Sequence, residues 1–416
     1  LCHVLPNVAG PILVAAAFTT QDVPATLAAV RRTVEGMPAP AATDVVRCSA
    51  SVTSPCDDGL TGTEHVRGCF GEDPAYAELQ GRFRTPIFQE GTRPYAAPAD
   101  GGGFTWDAGG NPEMHGEEQI CFALTVPTGG PMPAEGWPVV LYEHGTGGSY
   151  RSFVDNGVAQ MLSGVTLADG SVQRFAVLSF DGPMHGERRG ASTGDPALLF
   201  FNFANPAAAY GNVLQGVVDG WQATRLLGAT SWGDTSSPTG AAISFDATRT
   251  YFYGHSQGAT HGIPGAAYDP SIAAAVFSGA GGLLIDTLLT KTSPYDIAGA
   301  LRMALADIDL GGMHPALTVF QTWLEVADPI NYGRYLVWRP FAPPPPRSVL
   351  MTYGLGDTYT PPATIANLAA TMGLAVAEPP LETIGFLDTA PLPATANRNI
   401  GGVPVTVVLT QHAPAA

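Results

Sequence analysis

Short apolar runs alternate with stretches of helix length from Gln119 onward, and no other feature of this chain restricts its fold as much. The runs cover residues 119–126, 139–142, 175–180, 250–253, 273–277, 349–353 and 403–409, with helix candidates at 152–162, 206–227, 257–268 and 362–372. Strands that are apolar throughout must be covered on both faces, and strands separated by helices are joined by crossovers that leave them parallel. The pattern therefore predicts an α/β fold with a mostly parallel central sheet and helices on both faces. Residues 283–335 interrupt the rhythm with helix-like sequence and are read as an insertion that caps the sheet, with the cap running over about 283–340. The prolines at 343–346 then return the chain to the next strand.

The first 118 residues have a different texture. An apolar stretch at 12–18 and a helical one at 24–35 precede a segment rich in Gly, Pro, Asp and Cys. The expected division is an irregular N-terminal region, 1–118, and a catalytic domain, 119–416. All five cysteines, at 2, 48, 56, 69 and 121, fall in the first third, and none has CxxC or zinc-like spacing. Cys48, Cys56 and Cys69 sit in loop-like surroundings, where disulfides are expected in an oxidising compartment. The odd count leaves one thiol free or paired outside the chain, and the connectivity stays open. Asp57, Asp58, Glu64, Glu72 and Asp73 match no calcium-loop spacing and read as a solvated acidic loop.

The net charge of −17, with a single lysine at Lys291, disfavours nucleic acid and anionic lipid as partners. No apolar run reaches the roughly 18 residues of a membrane span. The sequence starts at Leu1 with no basic n-region followed by an h-region, so no signal peptide is visible there and a mature or trimmed product is the simpler reading.

Three segments carry chemistry. In Thr250–Gly262 (TYFYGHSQGATHG) an apolar strand runs into Gly-His-Ser-Gln-Gly and then a helix. The strand-to-helix turn of this pattern is strained, so glycines must flank the serine, and Ser256 is presented at a helix N-terminus that favours developing negative charge. Upstream, Val139–Gly148 (VVLYEHGTGG) is a buried strand ending in a Gly-rich turn. The backbone N–H groups of Thr146 and of Gln257, the residue after the serine, are the candidate oxyanion donors. Downstream, residues 349–362 hold a strand that ends in Gly-Leu-Gly-Asp, where Asp357 would orient a histidine; Asp328 and Asp286 are less well placed. The histidine that follows is His412, after the last strand and close to the end of the sequence. The base is then His412 or a residue beyond that end. His144, His185 and Arg188 read as structural.

These segments, YEHGTGG, DGPMHGERRG, the helix carrying Asn212, Gln215 and Asp219, GHSQG and GLGDTYTPP, resemble bacterial secreted or envelope-associated α/β-hydrolase lipases and esterases of the virulence-factor-like lipase family. The resemblance implies an α/β-hydrolase fold and ester hydrolysis outside the cytoplasm by a Ser–His–Asp triad. It supports Ser256 and Asp357 residue by residue. Relatives place the base in a Gly-His-Phe-like turn, which this chain lacks after Asp357. Ala17–Gln21 (AFTTQ) resembles a segment that follows a further N-terminal region, which implies a longer precursor.

The expected activity is two-step acyl transfer, with Ser256 as nucleophile, His412 as base, Asp357 as its partner, and Thr146 and Gln257 as the oxyanion hole. No metal or organic cofactor is called for. The expected partner is a small-molecule, lipid or polymer ester. A polyester depolymerase and a peptidase or amidase would use the same triad, whereas a non-catalytic binding protein on this fold would need none of it.

Overall fold

The computed structural model describes residues 21–57, 67–341 and 345–414. The apolar stretch at 12–18, Cys2 and most of the AFTTQ segment lie outside them. A twelve-stranded sheet organises the molecule. Its main path contains β1 (Ala42–Arg47), β2 (Tyr76–Ile87), β3 (Gly116–Pro127), β4 (Trp137–Glu143), β5 (Ala176–Phe180), β6 (Ile243–His255), β7 (Ile272–Ser278), β8 (Ser348–Gly354), β9 (Ala375–Ala377), β10 (Thr389–Ala390) and β11 (Val407–His412). The spatial order is β1-β2-β3-β5-β4-β6-β7-β8-β11-β9-β10, and Ser231–Trp232 pairs on the start of β6. The pairs from β5 to β10 are parallel, and those from β1 to β5 are antiparallel.

The registers bring the C-terminal ends of the central strands level. Gly254 pairs with Glu143 and Phe277, Ser278 with Thr352, Thr352 with Thr410, and Gly354 with His412. Every turn expected to carry chemistry therefore leaves the same edge of the sheet, where open α/β sheets bind ligands.

Alternate residues of each strand feed the two faces. Val139, Leu141, Leu178 and Phe122 join one cluster with helices α1 (Val23–Glu35), α2 (Pro206–Ala229) and α3 (Gln257–Tyr268), while Val140, Tyr142, Val177 and Cys121 join another with Tyr150 and Phe153. In α1 the Asp22 carboxylate caps Ala25 N–H, and the buried Leu27, Val30 and Val34 form the inward stripe. The cap expected over 283–340 contains α4 (Leu284–Thr290), α5 (Ile297–Leu305) and α6 (Pro315–Leu324), packed on one another and against Ala209 of α2. The helix α7 (Pro362–Met372) follows β8.

The sheet extends into the segment that composition sets apart. β1 and the twelve-residue β2 lie at its edge, and Gln119, where the texture changes, falls inside β3. β2 is short of apolar alternation because its polar side chains are buried against partners. Gln215 of α2 accepts from Phe88 N–H (3.0 Å) and donates to Pro86 O (2.9 Å). Asp219, one turn on, takes Thr85 Oγ1 (2.8 Å) and Arg188 (2.7 Å). Two disulfides, Cys48–Cys69 and Cys56–Cys121, staple the intervening loop, the second directly to β3. Among the described residues no group of His, Cys, Asp and Glu could hold a metal ion.

Two expected elements divide. The helix at 152–162 becomes Ser152–Asp155 and Val158–Leu162, broken by Gly157 at φ +75°. The strand at 403–409 becomes a hairpin strand, Val403–Val405, and β11, because Thr406 donates its N–H to Ser348 Oγ (3.0 Å).

Candidate active site

Ser256 sits between β6 and α3 with φ +52° and ψ −113°, a left-handed conformation that costs a non-glycine residue about 1–3 kcal/mol. The surroundings hold it there. Ser256 N–H donates to Ser278 O of β7 (2.8 Å), and its own carbonyl accepts from Ala259 and Thr260. A Cβ on Gly258 would lie 2.1 Å from the Glu143 carbonyl oxygen, and one on Gly254 would lie 2.8 Å from Ala259 Cα. Only glycine fits either place. Beneath the turn, the buried Glu143 meets His261 Nδ1 of α3 at 2.9 Å and so ties the end of β4 to the helix that carries the serine. Burial raises the Glu143 carboxyl above its ordinary range, and His261 opposes that shift.

The serine opens on a cavity of about 980 Å³. Its wall includes Gly145–Gly148, Gln257, Asp357, Phe201, Phe203 and the cap residues Leu284, Leu288 and Leu324. Thr146 and Gln257 flank Ser256 there, and Thr146 Oγ1 donates to Gln257 Oε1 (3.0 Å). As the first residue of α3, Gln257 has a backbone N–H without an intrahelical partner, as an oxyanion donor must.

The Gly-rich loop is braced by two buried histidines whose rings lie 4.8 Å apart. Gly182 N–H donates to His144 Nε2 (3.0 Å), and Gly147 N–H donates to His185 Nε2 (2.9 Å). Each ring thus ties the other's loop, in keeping with the structural reading of both. Burial depresses His144 to about 4 and His185 well below its usual value, so both stay neutral acceptors near neutral pH. Asp181 completes the brace by accepting from Tyr150 N–H (3.0 Å) and pairing with both Arg67 amino groups (2.8 and 2.6 Å). Burial alone would raise its carboxyl, but Arg67 overrides that and holds it below the ordinary value.

Asp357 lies on the cavity wall after β8. Its Oδ1 accepts from Tyr359 N–H (2.8 Å) and Thr360 N–H (2.9 Å), leaving Oδ2 without a hydrogen-bond partner among the described residues. Asp328 is otherwise engaged: it accepts from Leu283, Leu284 and Ile330 N–H groups, and burial pushes its carboxyl up to about 6. His412 ends β11, and its carbonyl accepts from Leu355 N–H (2.8 Å), which keeps it beside the Asp357 turn. Its ring, however, bonds Thr410 Oγ1 through Nε2 (3.0 Å), and the residue is not part of the cavity wall. The structure thus brings together Ser256, Thr146, Gln257 and Asp357 and leaves His412 on the same edge, outside the wall. Sequence reasoning passed over His255, which lines the cavity beside the serine with Nδ1 3.3 Å from Ser278 Oγ, and Lys291 of the cap. For His255 the signal was its place inside the GHSQG turn.

A strand-elbow serine at the C-terminal edge of a mostly parallel sheet, under a helical cap, is the architecture of the α/β-hydrolase fold. Structural comparison agrees. An acetyl xylan esterase from Paenibacillus sp. R4 matches over 97% of this chain and 92% of its own, with 14% identity and a TM-score of 0.51. Acetyl xylan esterase 1 from Thermoanaerobacterium sp. JW/SL YS485 is 13% identical over 94% of this chain and 88% of its own, with a TM-score of 0.47. No family model and no curated protein matches the sequence. The chain has the α/β-hydrolase fold, and its structural neighbours include bacterial esterases.

Proposed function

We propose that the protein is a carboxylic ester hydrolase that works through an acyl-enzyme on Ser256. The observation that carries this is the strained Ser256 turn, which opens on a large cavity with Asp357 and the Thr146–Gln257 pair on the same wall. Ser256 Oγ attacks the ester carbonyl, a histidine takes its proton, and the alcohol leaves with that proton; water then releases the acid by the reverse transfer. Thr146 and Gln257 N–H groups stabilise the oxyanion, each worth about 10²–10³ in rate. Asp357 holds the imidazolium.

In this reading the base is His412, whose ring must leave Thr410 and turn to Asp357. A second reading makes His255 the base and is favoured by its place on the cavity wall beside Ser256; burial lowers its pKa, and the charge of Asp357 opposes that shift. The two disulfides support a site of action in an oxidising compartment, secreted, periplasmic or at the cell envelope. Among the described residues no helix is long and apolar enough to cross a membrane. The test is fluorophosphonate labelling with peptide mapping, beside a panel of p-nitrophenyl esters, peptides and solid polyester. Label on Ser256 and turnover of soluble esters are expected. Label elsewhere, or none, removes the reading.

A further inference from the structure

Among the described residues, every charged side chain on the cavity wall but one is held by the protein itself. Arg67 is paired with Asp181, and Arg189 donates Nη1 to Gly194 O (3.1 Å). Asp155 accepts from Arg151, Asp195 accepts from the Tyr295 hydroxyl (2.8 Å), and Asp357 accepts its two backbone N–H groups. The exception is Lys291, which follows α4 at the edge of the cap. Among the described residues its ammonium makes no hydrogen bond and no ion pair, and the Phe201 ring lies beneath it at 5.7 Å.

Lys291 is also the only lysine in the chain. Burial disfavours the Lys291 ammonium and the charge of Asp357 opposes that, but among the described residues no carboxylate comes within ion-pair distance of it, so the place beside it for a directly paired anion is open. A protein of net charge −17 repels anions at long range, so an anionic substrate needs a local cation to hold it. We propose that Lys291 anchors a carboxylate carried by the substrate, so that the cavity takes esters bearing a second, ionised carboxyl group. This rests on the esterase reading for the bond that is broken, but not for the binding of the carboxylate.

The test is therefore made on binding. Monomethyl glutarate and the neutral dimethyl glutarate are titrated into the full chain carrying Ser256→Ala, by calorimetry, and again with Lys291→Met or Lys291→Arg added. A second pair, the acetate esters of 4-hydroxybenzoate and of 4-hydroxybenzamide, moves the carboxylate to the alcohol side. The charged member of one pair is expected to bind at least tenfold more tightly than the neutral one. Lys291→Met should abolish that ratio, and Lys291→Arg should retain most of it. Equal binding of charged and neutral members in both pairs overturns the proposal. So does an equal weakening of both by Lys291→Met, the result if Lys291 only closes α4 as a cation at a helix C-terminus. Lys291-dependent binding without labelling of Ser256 in the wild type keeps this inference and removes the esterase reading.

Discussion

The serine side and the acid side of the cavity are built differently. On the serine side nearly every loop is tied from below. Ser256 hangs on β7, Gly258 is pressed on Glu143, and the Gly145–Gly148 loop is bonded to His185, whose own turn is bonded to His144. The bracing reaches into the N-terminal segment, because Arg67 of the disulfide-stapled loop holds Asp181, and Asp181 holds Tyr150. On the acid side, Asp357 has only its own turn as donor, and His412 stands exposed at a strand end with Thr410. The groups proposed to converge on one spot, Ser256, Thr146 and Gln257, are thus held by buried contacts. His412 lies where few contacts hold it.

The largest effect is expected on the acid side. His412→Ala is expected to lower kcat by about 10²–10⁴ if His412 is the base, a size typical of a lost general base. The same assay on His255→Ala decides between the two histidines: whichever substitution abolishes fluorophosphonate labelling at pH 7 identifies the base.

The next effect falls on the braced side. Opening Cys56–Cys121, whose loop spans 65 residues, by a double Ser substitution is expected to cost about 4 kcal/mol on chain-entropy grounds. Urea unfolding of the variant, with activity followed in parallel, measures it. If the N-terminal loop supports the oxyanion wall through Arg67, activity falls at urea concentrations where the wild type is still fully active.

Acid should act on the same brace. His144 is held at about 4 in the fold, whereas an unfolded histidine titrates near 6.5, so the unfolded chain takes up the proton first. The stability present above pH 6.5 is then lost as pH falls toward 4, by roughly 3 kcal/mol for this residue. Urea midpoints at intervals across that window check the slope, and His144→Gln should flatten it. The smallest effect belongs to Thr146→Ala, which removes the hydroxyl bond to Gln257 and is expected to cost about 1 kcal/mol, read as a shift in thermal midpoint.

Much of this was legible in the chain. Helices at 257–268 and 362–372 have the expected ends, set by a serine turn before one and a proline opening the other. The parallel sheet follows from apolar runs that leave no polar face, and the cap from the helix-like sequence that interrupts them. What stayed hidden depends on long-range pairing. β2 carries Glu78, Gln80 and Thr85 at buried positions, so its pattern does not read as a strand until α2 and the stapled loop supply partners. The disulfide connectivity was hidden for the same reason: it joins Cys56 to a strand 65 residues away.

Hydrophobic period and the glycine requirement of a strained turn are local properties, so the class of fold and the strained turn at Ser256 can be read along the chain. The tertiary structure sets which groups surround Ser256. It closed the edge of the sheet with the N-terminal segment, turned His144 and His185 into a brace, and put His255 and Lys291 on the cavity wall while leaving His412 off it. Those outcomes depend on strand register and on burial, which bring together residues that no spacing along the chain relates.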